Sequence, residues 1–175
     1  LNALQQLYHD PNPSVKSAAN EALQHFQKTQ EAWSTANALL LTQDLPLESR
    51  LFGAQTFRSK VRAHTQLHQI TFDLQQLPLD AQLSLRDTLI DALAIYAAGP
   101  RVVQTQLCLS LAALALQLPE SHWPNVVPGM IDRFGKSPDT VNVLLEFLSV
   151  LPEEVAQNHR IPVSNATYHE RSEER

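Results

Sequence analysis

The sequence has one cysteine in 175 residues, so no disulfide can form within the chain. Cys108 sits in an apolar run between Leu107 and Leu109, which fits a buried, reduced thiol in a reducing compartment. Glycine is scarce, at four residues against eleven prolines. That balance disfavours sheets built on Gly-rich hairpins and favours helices parted by proline-marked turns. No apolar run reaches the roughly 18 residues that a membrane span requires, and the start lacks the basic-then-apolar plan of a secretory signal. No membrane partner is expected, and cytosol or nucleus is the expected compartment. In that setting Asn165-Ala166-Thr167 fits a glycosylation acceptor only by chance.

Positive charge is also in short supply. A formal net charge of -5 suits protein partners and argues against a basic face for direct nucleic-acid binding. Arg58, Lys60 and Arg62 do cluster, but no aromatic residues interleave them as a single-strand-binding groove would require. Catalytic patterns are missing too. His64 and His68 stand four apart, as helix-borne metal ligands can, yet no third ligand accompanies them at metal-site spacing. There is no phosphate loop, no nucleophile elbow, and no base near Cys108. The expectation is a protein that is not an enzyme and uses no cofactor or metal.

What the sequence does contain is helical periodicity. Val15, Ala18, Ala19, Ala22, Leu23 and Phe26 mark one face of a helix that starts with Asn12 as cap and Pro13 in its first turn. A segment at about Glu31 to Leu41 follows, then one from Leu47 to about Arg62 with an apolar stripe of Leu47, Leu51, Ala54 and Val61. Leu79 to Ala98 reads as a long helix carrying Leu83, Ile90, Leu93 and Ala97, stopped by Gly99-Pro100, with Val102 to Leu118 as its partner. Pro124 to Phe134 reads as a shorter helix kinked at Pro128, and Pro138 opens a last helix that Pro152 closes near Leu151.

The second helices of these pairs begin near Pro13, Leu47, Arg101 and Pro138, an average step of about 42 residues, as in HEAT and armadillo units. The expected fold is therefore all-α, an α-α superhelix or solenoid of about four HEAT repeats plus the start of a fifth. Residues 1–28 would form repeat 1 with a truncated first helix and 29–78 repeat 2 with a linker. Repeat 3 would take 79–119, repeat 4 would take 120–155, and 156–175 a linker and the start of a further helix. Residues 63–78 could extend the preceding helix or form a short extra turn. Leu1 begins inside an apolar pattern and the tail after Pro162 lacks a partner, so the chain reads as a fragment. Gln106, Ser110, Ala113 and Gln117 form a less apolar stripe on one inner helix, matched by Asn142, Glu146 and Ser149 on the last. Stacked hairpins would align these stripes into one concave surface.

Several segments carry a family resemblance. Leu7-Tyr8-His9-Asp10-Pro11-Asn12-Pro13-Ser14-Val15-Lys16, with Ala19-Asn20 and Leu23, resembles the opening repeat of importin-β superfamily karyopherins of the transportin-SR and fungal mRNA-transport-regulator type. Glu31-Ala32-Trp33 and Phe52 to Val61 resemble the second repeat of that family. Ser84 to Leu89, with Gln106-Leu107 and Ala112 to Leu118, resembles the third, and Leu148 to Val155 the end of the fourth. The stretch from His64 to Gln76 is the least family-like.

The resemblance implies a receptor that shuttles between cytoplasm and nucleus through the nuclear pore, meeting nuclear pore proteins on the way. Its N-terminal repeats would bind the small GTPase Ran in its GTP form. Serine/arginine-rich or other RNA-binding proteins would be its cargo, held largely by later repeats. On this reading Ran would meet Asn20 and Gln24 in the first repeat and Gln55, Arg58, Ser59, Lys60 and Arg62 in the second. Gln106 and Ser110 would serve from the third, and Asn142 and Glu146 from the fourth, with Glu146 facing a basic patch. Taken singly, each of these side chains reads more simply as a solvated helix face. The alternative for the whole chain is a generic HEAT scaffold that holds a protein complex together without Ran dependence.

Overall fold

The chain turns into its second helix where capping chemistry directs it. The Asn12 side chain accepts the Ser14 N–H at 2.9 Å, and Pro13, which has no N–H to waste, takes the first helical position. The same logic sets the later starts: Pro78 and Pro100 occupy extended caps before their helices, and Pro138 begins another. The computed structural model describes residues 1–42, 44–61 and 74–157. Among these, every regular element is helical: α1 (Asn2–His9), α2 (Pro13–Gln27), α3 (Glu31–Leu41), α4 (Leu47–Val61), α5 (Leu79–Ile95), α6 (Arg101–Gln117), α7 (Val126–Phe134) and α8 (Pro138–Gln157), with a 3-10 turn at Leu74–Gln76.

Consecutive helices pair as hairpins, and the second helices α4, α6 and α8 pack side by side into one layer backed by α3, α5 and α7. This is the all-α HEAT solenoid that the proline spacing predicts. One continuous core runs from Ala36 and Leu40 in α3 to Phe147 and Val150 in α8. The first hairpin joins it through a separate small cluster, in which Leu4, Leu39 and Phe52 meet Leu23, Phe26 and Leu45. Ala18 and Ala22, expected on the buried face of α2, are exposed, because this hairpin touches α3 and α4 along a narrow strip.

Several details depart from the periodicity. In α4 the expected stripe is incomplete: Leu47 is exposed, whereas Phe52 and Phe57 are buried with Ala54 and Val61. This helix lies between α3 and α6, so two faces must be apolar rather than one. Pro128 falls at the third residue of α7, because the helix begins at Val126 and not at Pro124. First-turn N–H groups have no intrahelical acceptor, so a proline there breaks no bond and the expected kink has no cause. Pro152 does not end the last helix; α8 runs through it to Gln157. Glu154 is buried and Val155 half-buried beyond it, so side-chain burial continues past the proline. The described end of the stretch 63–78 is the short turn at Leu74–Gln76, and residues 62–73 lie outside the described residues.

Gly53 allows a close approach between two helices. A Cβ built there would stand 2.9 Å from the Ala36 carbonyl oxygen and 3.2 Å from the Leu39 Cβ, so α3 and α4 meet backbone to backbone. Alanine would gain up to about 1 kcal/mol of helix propensity, but the oxygen it meets is fixed in α3 and cannot swing aside. Gly53→Ala is expected to destabilise the fold by about 1–3 kcal/mol. Urea denaturation followed by circular dichroism measures it, and a stabilised variant would refute this packing.

Candidate protein-binding face

The exposed edge of the α4–α6–α8 layer is set by what each side of α6 must satisfy. Gln106 faces α4 and accepts from the Arg58 guanidinium at 3.3 Å, while the Gln117 amide donates to the Val61 carbonyl. On the other side Thr105 donates to Glu146 Oε1 at 2.7 Å, Arg101 reaches Glu146 Oε2 at 3.2 Å, and the Cys108 thiol points at the Val143 carbonyl at 3.6 Å. A ladder of polar contacts therefore crosses the layer, from α4 through α6 to α8. The ion pair itself contributes at most about 1 kcal/mol, because the Arg101 side chain is 83% exposed. The short Thr105 bond is the firmer anchor.

What remains open on α6 is its inner ridge, the side turned away from α5. Val102 is 49% exposed there, and Leu109 and Leu116 are half-buried. Beside the ridge a half-open groove of about 540 Å³ is lined by Arg101, Gln104, Asn142, Leu145, Glu146 and Ser149. Leu145 is 58% exposed on its α8 wall. A surface of helix edges offering amides, a guanidinium and scattered apolar side chains is suited to another protein.

The residues singled out from the sequence fall into three groups. Asn20, Gln24, Gln55 and Asn142 are exposed, and Ser59 is half-buried on α4. Arg58, Gln106 and Glu146 belong to the ladder just described. Lys60 and Ser110 are not on the surface. Ser110 is 0% exposed and donates to the Gln106 carbonyl one turn back at 2.8 Å, because its stripe of α6 packs against α4 instead of facing solvent. Lys60 is 4% exposed and caps α2, donating to the carbonyls of Gln27 at 3.2 Å and Thr29 at 2.8 Å, with the Trp33 ring centroid 5.0 Å away. Arg62 lies outside the described residues.

Sequence reasoning missed Arg101, Thr105 and Gln104. The buried Gln104 amide donates to the carbonyls of Tyr96, Ala97 and Gly99 at 2.8–3.1 Å and so closes the turn that presents Arg101. The only hint in the sequence is a glutamine in the first turn after Gly99-Pro100.

Comparison with known proteins fits this architecture. The pattern of the importin-β N-terminal domain matches residues 19–94, and that of Exportin 1-like protein matches residues 100–174. Transportin MOS14 of Arabidopsis thaliana is 37% identical over 154 residues, which cover 87% of this chain and 15% of that protein. The chain belongs to the importin-β family. Importin-13 of Homo sapiens is 34% identical over 166 residues, covering 91% of this chain and 16% of its own length. The chain thus spans about one-sixth of the length of these importin-β family relatives. The resemblance carried by Leu7 to Lys16 and Phe52 to Val61 is borne out at the level of the family.

Two outcomes follow for the groups that hold this face. Lys60→Met keeps an apolar stem but removes the ammonium that lies over Trp33 and leaves two carbonyls without their charged donor, and is expected to cost about 1–3 kcal/mol. Urea denaturation followed by circular dichroism checks it. Burial, and secondarily the negative charge of Glu146, push the Cys108 thiol from 9.0 up to about 12. Between those pH values the unfolded chain loses the thiol proton first, so this group's contribution to stability is full below pH 9 and falls as pH rises towards 12. Iodoacetamide at pH 8.5 should leave the native thiol unmodified and alkylate it in 8 M urea; equal rates would contradict the burial.

Proposed function

We propose that this chain is part of a nuclear transport receptor and that the inner face of its α4–α6–α8 layer receives the small GTPase Ran in its GTP form. The observation that carries the reading is the continuous polar and apolar edge across three consecutive repeats, in a chain of the importin-β family. Such a face suits a folded partner that spans several repeats, whereas a small molecule would call for an enclosed pocket. The names of the relatives, Transportin MOS14 and Importin-13, support a transport role. Cargo of the serine/arginine-rich or RNA-binding kind, contact with pore proteins and shuttling between cytoplasm and nucleus belong to the same proposal for the whole receptor.

The contact residues proposed on this chain are Asn20, Gln24, Gln55, Arg58, Ser59 and Asn142, with Arg101 added from the structure. Immobilised chain should retain Ran loaded with a non-hydrolysable GTP analogue at least tenfold better than Ran-GDP, a difference of about 1.4 kcal/mol. Equal retention of the two forms by a chain with native circular dichroism would overturn the reading in favour of a scaffold indifferent to nucleotide state. Binding kinetics on a biosensor surface supply the measurement.

A further inference from the structure

Taking the inner-face reading as its premise, we infer that Arg58 and Arg101 are the cationic contacts of this face and that Glu146 is a positioning residue, so that the partner presents an acidic segment here. The geometry distinguishes the three charged groups. Both Glu146 oxygens are engaged from α6, one by the Thr105 hydroxyl and the other by Arg101, and only 16% of its side chain is exposed. A basic group on a partner would have to displace both contacts to reach it. Arg101 is in the opposite position. A guanidinium has five N–H donors, and Arg101 is largely in solvent while one of its nitrogens is tied to Glu146. Arg58 is held the same way by Gln106 on the other flank of α6.

The two guanidinium groups therefore bracket the apolar ridge of α6. Val102 and Leu109 lie along that ridge, and Leu145 shares the groove with Arg101. The positive end of the α6 dipole lies at the same residues, since that helix begins at Arg101 with no side-chain cap. The remaining carboxylates of α8 are Asp139, seven residues before Glu146, and Glu153 with the buried Glu154, seven and eight residues after it, each about 10 Å or more along the helix. They limit the cationic stretch to its middle. The complementary chemistry is an apolar side chain flanked by Asp or Glu, met by guanidinium forks that Glu146 and Gln106 each hold by one contact.

The sign of one substitution tests this. In Glu146→Gln the amide oxygen still accepts from Thr105, but the charge that offsets Arg101 is gone. With Ran loaded with a non-hydrolysable GTP analogue as probe, association at low salt should match or exceed that of the unmodified chain, because steering follows net charge. Arg58→Ala and Arg101→Ala should each weaken binding about tenfold and flatten its salt dependence, with circular dichroism unchanged. Slower association by Glu146→Gln would place Glu146 against a basic group and overturn the inference. So would unaltered affinity and salt dependence in both arginine variants. In either case nucleotide-selective binding by the unmodified chain would leave the inner-face reading standing. Absence of that selectivity would remove the reading and the inference together.

Discussion

The stack depends on how it disposes of carbonyl oxygens at helix C-termini. Each α-helix ends with four carbonyls that have no intrahelical donor, and burying one unpaired costs about 1–3 kcal/mol. Solenoid packing places several of these ends inside protein, and in each case a side chain from further along the sequence supplies the donor. Lys60 of α4 closes α2, Tyr96 at the end of α5 reaches the Leu40 carbonyl of α3 at 2.8 Å, Gln117 of α6 closes α4, and Gln104 of α6 closes α5. Tyr96 is held in its protonated, donating form by burial, which pushes its pKa up while the neighbouring Arg50 opposes that shift. The first two hairpins are thus each sealed by the next, the third closes its own turn through Gln104, and the hydrophobic core gains directional polar locks that fix the register of one repeat on another.

Helix positions were legible in the sequence because they rest on local chemistry. Asn12-Pro13, Gly99-Pro100 and Pro138 act within a few residues of themselves, and the period near 42 residues repeats the same local grammar. The misjudged burial of Lys60 and Ser110 and the overlooked Arg101 depend on packing against distant elements. Lys60 reads as a surface cation until its acceptors, more than thirty residues earlier, are brought to it. Ser110 reads as part of an open stripe because a hydroxyl in an apolar helix looks like a surface mark; the hydroxyl instead satisfies itself on the carbonyl one turn back and can be buried at little cost. Pro152 reads as a stop because the pattern shows the lost hydrogen bond and not the burial that continues beyond it. Arg101 went unnoticed because its partner, Glu146, lies 45 residues away.

The first hairpin is attached differently from the rest. Its apolar contact with α3 and α4 is small, and much of its docking is polar: the Lys60 clamp and the 3.0 Å bond from the Gln27 amide to Thr56. Thr56 in turn donates to the Phe52 carbonyl at 2.7 Å, so the bond from α2 lands on a hydroxyl whose orientation α4 has already set. The α4–α8 layer, by contrast, is held by a core in which Phe57, Leu107, Leu111 and Phe147 are all at most 2% exposed. Packing is graded along the chain, and α1 and α2, with Leu4 and Ala19 as their buried residues, are its sparsely packed end.

That grading bears on how an inner face of this kind can act. A partner lying across α4, α6 and α8 would meet helix edges whose spacing is fixed by a dry core behind them and by cross-helix bonds in front. Arg58 and Arg101 have therefore lost part of their conformational freedom before any contact is made, and less remains to be lost on binding. Asn20 and Gln24 stand on the loosely docked hairpin, one turn apart and in line with Gln27, the residue that ties α2 to α4. Contacts there draw on the hairpin with the smaller apolar contact to the rest of the stack, and any cost of holding α2 in place would reduce their strength. The middle of the face supplies preformed contact, while the first hairpin joins it through the narrow strip that ties α1 and α2 to α3 and α4.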